Sequence, residues 1–419
     1  MSALPAPVHE RTLDSGLRLV VIPFESPGVM AFHTVVRTGS RDEVEPGRSG
    51  FAHFFEHMMF RGTHRWPERA YSDVLRRLGA QSNAYTTDDY TCYHIVCGSY
   101  AMETVMDIES DRFQHLDYAE DAFRTEALAV HGEYKMGASN PWQPMMERVR
   151  ELAFQRHTYG HTTIGYERDI RTMPDAFAYS RDFFQRFYRP GNCTLLVVGD
   201  VEPDAVVSSA ERWYGAWQGA AASPDVQPEP PQDGERRAHL GWASTRPRLV
   251  MGWRGPAFAD PRSPALAAVE QLLFGAPAPL YQELVVERQW VDALSASPPF
   301  HRDPYLFTVW AQPRDAALLG PVELAIRRHL ERLQTELVDP DRLERVKDHI
   351  HYSFATGLDS AATLAQTASV YLGVAGEVGA IDAFLGQVGA LTPDAVRDAA
   401  RALTTDGLTV VTLASEEAP

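Results

Sequence analysis

The chain has 419 residues, 44% of them apolar and 23% charged, a balance that excludes wholesale disorder and exceeds what one hydrophobic core organises. Its 39 Lys and Arg against 56 Asp and Glu leave a net charge of −17, which excludes the basic face that nucleic-acid binding needs. No run approaches the roughly 18 apolar residues of a membrane span. The opening residues carry no secretory-signal pattern, and Cys92, Cys97 and Cys193 are too few for a disulfide framework, so the expected compartment is the cytoplasm.

In chain order, hydrophobic patterning predicts strands at 17–23 and 32–37, a helix at 51–60, a strand-like run at 81–97, a helix at 119–134 and a strand at 193–198. Residues 220–234 hold four prolines among polar filler and read as a semi-extended linker. Beyond it come strands at 248–253, 305–311 and 408–413, and helices at 265–274, 318–336, 341–357 and 361–373. The two sides of the linker resemble each other. A shift of 214 places Glu56 on Glu270, His57 on Gln271 and Phe60 on Phe274, and a shift of 215 places 192–198 on 407–413. The expected fold class is therefore α+β. Two homologous domains, 1–219 and 235–419, each have a mixed or antiparallel sheet with helices on one face.

The segment that carries chemistry is Phe51-Ala-His53-Phe-Phe-Glu56-His57-Met-Met-Phe60. On a helix His53 and His57, four apart, leave the same face one turn apart, a spacing that suits two imidazoles on one Zn²⁺. Glu56 lies beside them, placed to reach a water without being a ligand. Phe54, Phe55, Met58 and Met59 anchor the helix in apolar surroundings. A catalytic zinc site needs a third protein ligand. Downstream, Glu126 and Glu133 are seven apart on one predicted helix face, so either could ligate while the other accepts a hydrogen bond from a histidine. Other pairs suit less well. His157 and His161 flank Gly160 in a turn-like run expected to be a solvated loop. His349 and His351 diverge on a helix. His131 points away from Glu133, and Asp88 and Asp89 read as loop charges. Cys92 and Cys97 have opposite strand parity, so pairing within one strand is not expected.

His53-x-x-Glu56-His57 is the H-x-x-E-H signature of the inverzincins. With Asn83-Ala-Tyr-Thr-Thr87, Arg168-Asp-Ile170 and Phe187-Tyr-Arg-Pro-Gly-Asn192 through Asp200, the chain resembles the pitrilysin/insulysin family of zinc peptidases, in its mitochondrial-processing-peptidase-like branch. The resemblance implies two repeated domains forming half of a clamshell. It implies Glu133, 76 residues beyond His57, as the third ligand, Glu126 as its catalytic companion and Glu56 as the base. It also implies that Asn83 and Ala84 begin an edge strand that pairs with extended substrate, by β-augmentation. The chambers of such peptidases admit peptides and unfolded segments.

The second half departs from the metal pattern, with Ala267 and Gln271 where His53 and His57 stand in the first. Where the family carries an Arg and a Tyr seven apart that hold the substrate carbonyl, this chain has Val285 and Asp292. The resemblance thus implies the zinc-bearing subunit of a bacterial two-chain peptidase, needing a homologous partner that supplies the Arg/Tyr pair. The rival reading is a non-catalytic assembly subunit on the same fold.

Overall fold

The computed structural model describes residues 3–243 and 245–415. The chain forms two compact units. The first consists of the chain up to Lys135 with His161–Val226 and Ala355–Ile381, the second of Met136–Gly160, Gln227–Phe354 and the chain from Asp382 on. Among the described residues no helix is long and apolar enough to cross a membrane.

The first unit holds a six-stranded sheet of β1 (His9–Thr12), β2 (Arg18–Pro23), β3 (Val29–Val36), β4 (Gln81–Thr86), β5 (Thr91–Gly98) and β6 (Cys193–Gly199), in the order β1-β2-β6-β3-β5-β4. The second holds β7 (Arg236–Trp242), β8 (Arg248–Arg254), β9 (Val291–Ser297), β10 (Leu306–Pro313) and β11 (Leu408–Ser415), in the order β7-β11-β8-β10-β9. Without β1 the first order repeats in the second, strand for strand. The repeat extends to direction: β2 with β6 and β7 with β11 are the parallel pairs, and the other neighbours are antiparallel. The α+β class and its internal repeat are thus present in the strand topology.

Two details differ from the expected elements. The run 81–97 is a hairpin rather than one strand: β4 and β5 are joined by a turn in which Thr87 Oγ1 accepts the N–H groups of Asp89 (3.1 Å) and Tyr90 (3.0 Å). The two acidic residues expected as loop charges lie in this turn and are buried. Asp88 accepts a hydrogen bond from Ser40 Oγ at 3.0 Å, its carbonyl accepts the Arg41 N–H at 2.7 Å, and Asp89 is 2% exposed.

The units also differ from the halves drawn at the linker. Each takes a helix from the other half of the sequence. Helix Ala361–Val374, apolar nearly all round, packs on β3 and β6 of the first unit. There His33 Nδ1 meets Ser369 Oγ at 2.9 Å, and the Arg37 guanidinium donates to the carbonyls of Gly373 and Val374. Helix Trp142–Ala153 packs on β7, β8 and β11 of the second unit, burying Met145, Val149 and Ala153 beside Val250, Val411 and Leu413. A sheet whose strands are buried on both faces needs a cover on each, and these helices supply one.

The linker is pinned at both ends. In the first unit the Ala222 N–H donates to the Arg186 carbonyl at 2.9 Å. In the second, the buried Glu229 carboxylate accepts three successive backbone N–H groups, from Gln155, Arg156 and His157, at 2.8, 2.8 and 2.9 Å. Replacing Glu229 with Ala should cost about 2 kcal/mol, because three backbone donors lose a charged acceptor, which is worth more than a neutral one. Glu229→Gln should cost less. Thermal unfolding of the three proteins checks the order.

Candidate metal centre

Helix Phe51–Met58 starts at a glycine for a local reason. Gly50 has φ +94°, and a Cβ there would stand 2.6 Å from the Ile164 carbonyl oxygen. With no side-chain cap of its own, the helix N-terminus is satisfied from outside: the buried Glu43 carboxylate accepts the N–H groups of Gly50 and Ala52, both at 2.7 Å. Burial pushes the Glu43 carboxyl well above its ordinary range, against the pull of those two donors. Ser49 is held in turn by Asp169, which accepts from its Oγ at 2.6 Å, and the Tyr166 N–H donates to the same hydroxyl at 2.9 Å.

Phe51, Phe54, Phe55 and Met58 form the buried stripe of this helix, with Phe55 stacked on Phe183 at 5.4 Å between centroids. Fixing that stripe in the core turns His53, Glu56 and His57 toward the partly open side. Facing them is helix Glu120–Ala138, which carries Glu126 and Glu133.

Three groups converge. His53 Nε2 and His57 Nε2 are 3.3 Å apart, and Glu133 Oε2 lies 3.3 Å from the His57 nitrogen and 3.8 Å from that of His53. Among the described residues this trio is the cluster of His, Cys, Asp or Glu able to hold a metal ion, with all three ligand atoms within 4.8 Å of one another. Ligands about 2.0–2.1 Å from one tetrahedral ion sit about 3.3 Å apart, so the donor set fits zinc in spacing and in kind. Glu126 stands outside the trio: its Oε1 meets His57 Nδ1 at 2.9 Å, and Arg61 donates to its Oε2 from Nε at 2.7 Å and from Nη2. Spacing along the chain left open which glutamate faces the shared point; the geometry puts Glu133 there and Glu126 behind His57. Glu56 is beside the cluster and accepts from Thr86 Oγ1 at 2.7 Å.

The two imidazoles are pushed apart in basicity. Burial lowers His53, whose Nδ1 is buried without a hydrogen-bond partner. The hydrogen bonds to Glu126 and then Glu133 raise His57 to about 9. Both glutamates are held below their usual range, first by the hydrogen bond to His57.

Asn83 and Ala84 lie on β4, at the edge of the sheet. Asn83 lines a cleft of about 310 Å³ together with Glu56, His57, Phe60, Arg61 and Glu126. The Ala84 methyl is buried, and its N–H donates to Asn83 Oδ1 at 3.0 Å.

The expected solvated loop at 157–161 is not one, because both histidines are buried. His157 sits against Tyr159 with Nε2 3.1 Å from Asp303 in the second unit, and His161 has Nε2 3.8 Å from Glu43 in the first. An aromatic cluster at Phe154, Tyr159 and Tyr305 draws the first inward, and the second belongs to the packing behind the helix cap. His349 and His351 lie on helix Pro340–Thr356 and, among the described residues, join no metal-binding cluster. In the second unit, helix Ser263–Phe274 repeats the motif helix without histidines. Gln271 Nε2 donates to Glu270 at 2.7 Å, and burial raises the Glu270 carboxyl to about 7. Glu43, Arg61 and Thr86 are the local residues that sequence reasoning missed. Arg61 had a signal, its i+4 spacing from His57; Glu43 had none.

Known proteins agree with this picture. Residues 29–167 match the family described as "Insulinase (Peptidase family M16)" and residues 179–350 match "Peptidase M16 inactive domain", so that the two matches between them span most of the chain. The chain belongs to peptidase family M16. It is 28% identical over 383 residues to the zinc protease PqqE of Helicobacter pylori, covering 87% of this chain and 84% of the relative. A crystal structure of a protease from Helicobacter pylori superposes with a TM-score of 0.90 at 25% identity, covering 97% of this chain and 99% of that one. The periplasmic protease PqqL of Escherichia coli shares the fold at a TM-score of 0.80 and 20% identity; 99% of this chain matches 48% of that one.

A cation at the shared point must displace the proton that His57 holds below about pH 9. The metal-free protein should therefore release about one proton per divalent cation bound near pH 7.5. Its apparent affinity should rise about tenfold per pH unit up to about 9, then level off. Calorimetry of zinc binding in buffers of different ionisation enthalpy measures both.

Proposed function

We propose that the chain is a zinc-dependent endopeptidase subunit that hydrolyses peptides or unfolded segments. The observation that carries this reading is the convergence of His53, His57 and Glu133 on one point with Glu56 beside them. Zinc held by the trio would polarise the scissile carbonyl and lower the pKa of its water. Glu56 accepts the proton of the attacking water and hands it to the leaving amine, a relay for which a carboxylate at this position suffices. Thr86, donating to Glu56 Oε2, leaves the other carboxylate oxygen for that transfer. Glu126 keeps the proton of His57 on Nδ1, so that Nε2 faces the metal point. An extended substrate adds to the outer edge of β4, where its carbonyl takes the Ala84 N–H now held by Asn83 Oδ1.

The same reading includes a partner chain. Asp292 is engaged by Arg246 at 2.7 Å and Arg314 at 2.9 Å, and Val285 packs against the core of the second unit. Neither position offers a free donor to a substrate carbonyl. That the chain matches about half the length of PqqL supports an assembly of two such lengths, with a homologous second chain supplying an Arg/Tyr pair. The match of 179–350 to an inactive domain favours a second reading, a non-catalytic assembly subunit. The complete ligand set with Glu56 weighs against it.

Glu56→Gln should retain zinc and lose peptidase activity in the competent assembly, because the amide cannot take the proton. Zinc content and cleavage of an unstructured peptide test it, and cleavage near the wild-type rate removes Glu56 as base. The chain alone should bind zinc yet cleave peptide slowly, since a missing oxyanion donor costs about 10²–10³ in rate. A homologous chain with the Arg/Tyr pair and no H-x-x-E-H should restore the rate. Full activity of this chain alone, unchanged by any partner, refutes the split site.

A further inference from the structure

Arg61 stands outside the signature and belongs to the same stripe. His53, His57 and Arg61 follow one another at intervals of four along the motif helix and the single 3₁₀ turn Met59–Arg61 that extends it. The facing helix answers with Glu133 and Glu126. The result is a ladder. Glu133 meets both histidines, Glu126 meets His57 on one oxygen and Arg61 on the other, and Arg61 Nη1 is tied to Glu68 Oε2 at 2.9 Å.

The Glu126 side chain is 7% exposed, so its carboxylate is oriented chiefly by the protein groups around it. Two donors of one guanidinium converge on Oε2, which turns Oε1 toward His57 Nδ1. Glu68 in turn holds the arginine from its exposed side.

We propose that Arg61 is a positioning residue of the metal centre: by clamping Glu126 it fixes the tautomer and ring orientation of His57, and so strengthens metal binding although it is itself a cation. This rests on the reading that His53, His57 and Glu133 hold zinc. The two ways in which Arg61 could act have opposite signs. As a bare positive charge beside a divalent cation it would weaken binding, and its removal would tighten it. As a clamp on Glu126 its removal weakens binding by about 10–100-fold, the usual cost of losing a group that orients a ligand.

The experiment measures zinc affinity by chelator competition for the full chain and for Arg61→Ala, Arg61→Lys, Glu126→Gln and the Arg61→Ala/Glu126→Gln double variant, with thermal unfolding of each metal-free protein as the control for folding. We expect a loss of about 10–100-fold in Arg61→Ala, partial recovery in Arg61→Lys, whose single ammonium cannot make the fork, and no further loss when Arg61→Ala is added to Glu126→Gln. The Nδ1–H proton resonance of His57 in the zinc-loaded protein should be sharp in the wild type and shifted or lost in Arg61→Ala. Unchanged or tighter zinc binding in Arg61→Ala, or a full additional loss on top of Glu126→Gln, overturns the clamp. Should Arg61→Ala not fold, Glu68→Gln replaces it: a several-fold loss supports the clamp, and no loss overturns it. A wild-type chain without zinc affinity is a different failure, that of the proposed metal site, and is read from the wild-type titration before any variant is compared.

Discussion

Everything near the candidate site depends on one interaction between two helices. A His-His-Arg stripe, one residue per turn, meets two carboxylates that stand two turns apart on the facing helix. Neither stripe is stable alone. Two carboxylates in a half-buried setting repel each other and lose hydration, and imidazoles packed at 3.3 Å compete for protons. Brought together they satisfy one another, and the hydrogen bonds to the two glutamates raise His57 while burial lowers His53. With His57 protonated, the two carboxylates of the ladder are matched by His57 and Arg61, and the three ligand atoms of His53, His57 and Glu133 face one shared point.

Such a ladder needs a rigid backbone, since metal ligation tolerates only small errors in ligand placement. The rigidity comes from the opposite face of the motif helix. Its phenylalanines lock into the core, the Tyr93 hydroxyl donates to the Phe55 carbonyl at 3.0 Å, and Glu43 and Asp169 hold the residues that begin it. Polar groups buried behind the helix thus act on the site without touching it. His161, beside Glu43, belongs to that support, which explains its burial in a segment rich in turn-forming residues.

How much of this was legible beforehand depended on the range of the interaction. The i, i+4 spacing of His53 and His57 and the i, i+7 spacing of Glu126 and Glu133 are local facts of helix geometry, and they mark the two faces that the structure brings together. The strand patterns at 193–198, 248–253 and 408–413 were likewise local and reappear within a residue or two in β6, β8 and β11. What depended on distant partners was hidden. Asp88 and Asp89 read as loop charges, and His157 and His161, on either side of Gly160, as a solvated loop. Their burial follows from Ser40, Asp303 and Glu43, which lie far away in sequence. The helix Ala361–Val374 was recognisable as a helix, but nothing in its own residues says which sheet it covers.

The repeated strand order makes the second unit an internal control on what the site requires. Helix Ser263–Phe274 occupies the place of the motif helix in the same sheet order, is anchored by the same kind of apolar stripe, and keeps a glutamate at the position of Glu56. It lacks the imidazoles. Glu270, with one amide neighbour in place of a charged ladder, is raised toward neutrality by burial, whereas Glu126 and Glu133 are pulled down by His57. The hydrogen bonds to His57 hold the carboxyls of Glu126 and Glu133 low, and the second unit has no histidine at the matching positions of its helix. A single chain that carries both versions shows that the sheet supplies position, and that the charge pattern on two helix faces supplies the chemistry.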